Sequence, residues 1–124
     1  MKDSTETSDK PAEKPPANSQ MIWGVKGLSS GREPREYEIH DNDGGVRLIT
    51  LSKRIRQVLD TLMRGPVHCA SPVRISDMVY LLREDYGLDI ETKMYPGDPA
   101  TGAGTYGVYF LRSDVRVIDR ELAA

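Results

Sequence analysis

Two groups of residues in this chain have the types and spacing to do chemistry, and in both the chemistry is that of cations meeting oxyanions. Lys53, Arg54 and Arg56 crowd the first turn of a helical segment, where they oppose the helix dipole. A phosphate would relieve that cost, although exposed basic residues at such a place need no ligand. Arg74 and Arg83, with Ser76, lie on the flanks of a second helical segment, from which a guanidinium can reach phosphate or the edge of a guanine. On the same segment Asp77 and Glu84 would repel phosphate. His68 and Cys69 are adjacent, but two histidines and one cysteine fall short of the four well-spaced ligands that structural zinc wants, so no metal is expected. Nor do the residues compose a Ser/His/Asp pattern, a phosphate-binding loop or a dinucleotide fingerprint; the glycines of 97–107 lack the following helix and lysine. An enzyme is therefore the least expected class, with no cofactor and no small-molecule substrate.

Composition narrows the field further. With 124 residues, 38% hydrophobic and 29% charged, the chain accommodates one domain plus tails and has no apolar run near the roughly 18 residues a membrane span needs. Its single cysteine, Cys69, permits no internal disulfide, and the opening Met1, Lys2, Asp3, Ser4, Thr5, Glu6 has no apolar core of a secretory signal; a cytoplasmic location is expected. Net charge is −2 overall, and residues 36–124 hold 11 Lys/Arg against 14 Asp/Glu, or −3. Binding to nucleic acid would thus need a local basic patch rather than a global excess.

The elements that must position these residues are legible from periodicity. In the second helical segment, residues 74–86, Ile75, Met78, Val79, Leu82 and Tyr86 fall on one apolar stripe at 3.6 residues per turn. That stripe should face a core, leaving Val73, Asp77, Tyr80, Leu81 and Glu84 opposite it. Ser71 and Pro72 are expected to start the helix and Gly87 to end it. Leu88, Ile90, Thr92 and Met94 then alternate with Asp89, Glu91, Lys93 and Tyr95, as in a half-buried strand. A Gly/Pro-rich loop over 96–105 turns the chain, and bulky residues at 106–111 bring it back as a second strand.

Upstream, Ser52 is placed to cap a first helix in which Ile55, Val58, Leu59 and Leu62 recur at helical spacing until Gly65 and Pro66. Residues 67–71 read as an extended link, a bridging strand beside the later hairpin. Residues 36–39 and 46–51 flank Asp41, Asn42, Asp43, Gly44 and Gly45, which predicts a hairpin ahead of the helices with His40 at its edge. Residues 1–20, with Pro11, Pro15, Pro16 and no apolar cluster, are expected to form a disordered tail. Residues 21–35 are expected to be a linker in which Ile22, Trp23, Val25 and Leu28 anchor locally, residues 36–118 the domain, 112–117 a final strand or coil, and 118–124 a short helical tail.

Arg74, Ile75, Leu82 and Arg83, then Gly87, Ile90, Glu91 and Thr92, with Tyr106, Tyr109, Leu111 and Arg112 downstream, resemble the pattern of small winged helix-turn-helix proteins of bacteria and their phages. The resemblance covers about residues 37–117 and rests mostly on structural positions. It implies an α+β fold, a winged helix with an N-terminal β-hairpin, two main helices and a C-terminal hairpin wing, working as a DNA-binding regulator of transcription. In that family the helix matching residues 74–86 enters the major groove, and the wing touches the backbone or minor groove. On this chain Arg74, Ser76 and Arg83 would then meet double-stranded DNA from the helix, while Lys53, Arg54, Arg56 and Lys93 clamp phosphates. One departure stands out: between Gly65 and Ser71 there is hardly room for the helix that normally precedes the recognition helix, since a single turn takes about four residues.

A second function fits the same architecture. Tyr80 and Leu81, ringed by Asp77 and Glu84, would anchor a protein contact, either in a homodimer or on another regulator, since aromatic anchors inside a polar rim mark interaction patches. If instead the N-terminal hairpin covers Leu81, that face has no function. A continuous positive strip joining Arg54, Arg74, Arg83 and Lys93 favours DNA; an acidic or apolar face there counts against it.

Overall fold

The structure, a computed structural model, describes residues 14–70, 73–97 and 104–118. Its elements are a hairpin of β1 (Arg35–His40) and β2 (Val46–Leu51), then α1 (Lys53–Arg64), β3 (Val67–His68), α2 (Ile75–Glu84), β4 (Ile90–Tyr95), β5 (Tyr106–Leu111) and β6 (Asp114–Ile118). The strands make two antiparallel three-stranded sheets, ordered β2-β1-β6 and β3-β5-β4, so the class is α+β. No helix among the described residues is long and apolar enough to cross a membrane.

Local chemistry accounts for most boundaries. In the first hairpin the Asp41 N–H donates to the Gly45 carbonyl at 2.8 Å and the Gly44 N–H to the Asp41 carbonyl at 3.0 Å, with Gly44 at φ 91°, a conformation that costs glycine nothing. The Ser52 side chain makes no capping bond to α1; the Lys53 N–H donates instead to the Arg32 carbonyl at 2.8 Å. For α2 the expected starters Ser71 and Pro72 lie outside the described residues, and the cap position is held by Arg74 in the left-handed region, at φ 57° and ψ 47°. Gly87 ends that helix as anticipated, at φ 67°, its N–H donating to the Arg83 carbonyl at 3.1 Å.

The core lies where the two helical stripes meet the two sheets. Ile75, Val79 and Leu82 of α2 pack with Val58, Leu59 and Leu62 of α1, all buried, while Met78 and Tyr86 complete the α2 stripe half-buried. Tyr37, Ile39 and Leu51 enter from the first sheet and Val67, Ile90 and Tyr109 from the second. Each such aliphatic side chain contributes about 1.5–3 kcal/mol by leaving water. A smaller cluster of Tyr95, Val108 and Phe110, with Tyr106 against it, sits on the other face of the second sheet. There the alternation of β4 departs from expectation: Ile90 is buried, but Thr92 and Met94 on the same face are exposed, and Tyr95 on the opposite face is buried. Tyr95 packs there with Val108 and Phe110, and Tyr106 stacks on it with ring centroids 5.7 Å apart.

Two expectations about the chain ends are corrected. Residues 18–33 form a strap along α1, in which Ile22 and Leu28 are buried anchors as expected whereas Trp23 and Val25 are exposed, and within the expected tail Gln20 forms a parallel bridge with Val67. The Gln20 amide also donates to the carbonyls of Thr61 and Gly65, at 2.9 and 3.0 Å, and so caps the end of α1. Residues 1–13 lie outside the described part. At the other end 114–118 is a strand that adds to β1, and Ile118 is its last residue rather than the start of a helical tail; residues 119–124 fall outside the described part.

Candidate interaction face

Of the basic residues at the start of α1, Arg56 is turned into the molecule. Asp60 is 8% exposed; its Oδ1 accepts the Tyr37 phenol proton at 2.5 Å, and its Oδ2 accepts from Arg35 Nη1 and Arg56 Nε, both at 3.1 Å. Burial, reinforced by the Asp60 bond, raises the Tyr37 phenol well above the usual tyrosine range. Arg56 also donates to the Glu33 carbonyl at 2.6 Å and is only 13% exposed. Its guanidinium occupies the space beside Gly31, where a Cβ would stand 2.3 Å from Nη2. Arg54 donates to Gln57 Oε1 at 3.3 Å, whereas Lys53 is exposed. For Arg56 the cost of a cation near the helix start is thus offset by Asp60 one turn on and by the Glu33 carbonyl, a neutralisation that uses no phosphate.

On α2 the expected cations separate. Arg83 points back to the second sheet: Nε donates to the Ile90 carbonyl at 2.8 Å, Nη2 to Thr92 Oγ1 at 2.7 Å, and the guanidinium lies 5.9 Å from the Tyr109 ring centroid. Arg74 is 81% exposed and paired with Asp77 at 3.0 Å. Lys93 is on the opposite face of β4 from Thr92, its Nζ 5.4 Å from the Tyr95 ring centroid. Arg54, Arg74, Arg83 and Lys93 therefore do not join into one strip. What α2 does present to solvent is Ser76, Asp77, Tyr80, Glu84 and then Asp85, with Leu81 half-buried at the margin. Tyr80 is 63% exposed at the centre of that face.

His68, the last residue of β3, and Cys69, just beyond it, face opposite ways. His68 stacks on Tyr106 with centroids 5.7 Å apart, whereas Cys69 lies against Gly107 and Tyr109 on the other side. Burial pushes the Cys69 thiol up, away from the thiolate that metals bind. No group of three or more His, Cys, Asp or Glu could hold a metal among the described residues. His40 is bonded at 2.8 Å to Glu38 on the hairpin.

Periodicity left two features unmarked. Arg47 grips Asp41 through Nε at 2.8 Å and Nη2 at 3.1 Å, and donates to the carbonyls of Tyr86 and Gly87, tying the first hairpin to the end of α2. The Arg47 contact holds the Asp41 carboxyl below the usual carboxylate range. The strap and α1 also enclose an open cleft of about 400 Å³ in which Ser29 and Ser30 face Arg35, Arg56 and Arg64. An arginine within reach of Asp41 carries a signal in an antiparallel hairpin; the strap's hold on α1 spans about forty residues and has none.

No protein-family model matches the chain, and no curated protein or solved structure shows significant similarity to it.

Proposed function

We propose that the chain is a winged helix used as a protein-docking module, with α2 as the docking helix and the β4–β5 hairpin as the wing. Support for the winged helix comes from the order β3-β5-β4, in which a short strand after α1 pairs with the second strand of a hairpin that follows α2. The observation that carries the docking function is the solvent face of α2: an exposed Tyr80 between Asp77 and Glu84, with Arg74 already paired. An aromatic side chain with a polar tip and an acidic surround fits a partner that offers an apolar pocket rimmed by Lys or Arg. Phosphate backbones would meet net negative charge on the same face.

Photo-crosslinking from position 80 in cells tests this directly. One defined protein adduct is expected, lost when Asp77 and Glu84 are both changed to Lys. Crosslinks to DNA, or duplex binding in vitro that weakens steeply with salt and is lost in Arg74→Ala, would replace the docking function with regulation at DNA.

A further inference from the structure

Among the described residues one edge of the first sheet is left open. Among the described residues β2 pairs only with β1, and residues 46–51 contain no lysine, no proline and no bulge: the register runs unbroken from Arg35 opposite Leu51 to His40 opposite Val46. Other edges are blunted in the ways that keep strands from pairing with foreign chains. On β6 Asp114 and Arg116 stand side by side and bond each other, β4 carries Glu91 and Lys93, and Gln20 covers β3.

Antiparallel alternation decides which backbone groups face the open edge. The Asp41–Gly45 bond makes those two a hydrogen-bonded pair, so Arg47, Ile49 and Leu51 spend their N–H and C=O groups on β1. The groups of Val46, Leu48 and Thr50 point the other way. The same three side chains stand on the outer face of the sheet, Val46 54% and Leu48 56% exposed. Arg47, the one cation of the strand, is on the inner face and committed to Asp41, Tyr86 and Gly87.

We propose that β2 is the seam of a homodimer, in which two copies pair antiparallel with Leu48 opposite Leu48 and their sheets merge into one. In this register Val46 meets Thr50 of the second copy and Arg47 meets Ile49, so only neutral side chains oppose one another on the outer face and no like charges meet on the inner one. Every outward backbone group from Val46 to Thr50 finds a partner. Sliding by one pair toward the turn would set Arg47 against Arg47, and sliding toward α1 would leave Val46 opposite Ser52, outside the strand. The self-complementarity under a two-fold axis normal to the sheet is what selects a second copy over an unrelated strand.

Sedimentation velocity on the full chain should show a monomer–dimer equilibrium, and amide hydrogen exchange should slow at Val46, Leu48 and Thr50 as concentration rises. Leu48→Lys places a gatekeeper on an exposed position, and Thr50→Pro removes a donor that faces the edge and not β1. Each should weaken the dimer by about tenfold or more while the circular dichroism of the parent is kept. Tyr80→Ala should leave the dimer intact, which separates this seam from the docking face of α2. A chain that stays monomeric to its solubility limit, or a dimer whose three edge amides exchange as fast as in the monomer, overturns the proposal.

Discussion

The two helices carry similar side chains and spend them in opposite directions. On α1, Arg56 and Asp60 are absorbed by the strap and the first hairpin, Arg54 bonds Gln57 within the helix, and Gln57 and Thr61 bond Ser29 in the same layer. On α2 nothing described lies over Asp77, Tyr80 and Glu84, all of which are exposed. What separates a structural cation from an available one is thus the segment packed above it, not its place on the helix. Arg83 shows this within α2 itself, since a sheet edge lies within its reach and that of Arg74 does not.

Removing the centre of the α1 layer should have the largest effect. Asp60→Ala strips partners from Tyr37, Arg35 and Arg56 together, and a loss of about 3–5 kcal/mol in urea unfolding is expected from an unpaired buried charge; a loss below about 1 kcal/mol would mean that the layer is not holding the strap. Next, Arg83→Ala should cost about 1.5–3 kcal/mol as a charged donor to the sheet, against at most about 0.5 kcal/mol for the exposed Arg74→Ala. Equal effects from the two would erase the distinction between inward and outward cations.

The phenols supply a pH-dependent version of the same contrast. Burial, helped by the Cys69 thiol, pushes the Tyr109 phenol up to about 12 from its usual 10. A raised folded value means that the stabilisation is complete below about pH 10 and is lost as pH climbs through about 12. The Tyr37 phenol, raised by burial and Asp60, works in the same direction. The alkaline fall in stability should therefore be shallower in Tyr109→Phe than in the parent chain, and an unchanged slope would place the alkaline transition elsewhere. Smallest of all, Tyr80→Ala should shift stability by no more than about 0.5 kcal/mol while abolishing docking, and a larger loss would show that Tyr80 is part of the packing after all.

Several elements were readable because their signals are local. The α2 stripe from Ile75 to Leu82, the Gly87 stop, the turn at Asp41–Gly45 and the strand at 106–111 depend on residues within a few positions of one another, and each is where the pattern puts it. The surface of α2 opposite the stripe was readable for Asp77, Tyr80 and Glu84, which are exposed, but not for Val73, which packs against the core, or Leu81, which is half-buried. Availability of the basic residues was not. Lys53, Arg54 and Arg56 look alike in sequence, yet Arg56 is enclosed by Gly31, Glu33 and Asp60 while Lys53 remains in water.

From the amino-acid order alone come the periodic faces, the turn and stop positions and the α+β class, all consequences of short-range sterics and apolar spacing. Tertiary structure alone decided that residues 18–33 strap α1, that β6 adds to β1, that Arg47 locks the hairpin to α2 and that β2 pairs, among the described residues, with β1 alone. Those outcomes depend on partners tens of residues apart, brought together by burial of a shared core, and no local pattern records which distant partner a side chain will meet.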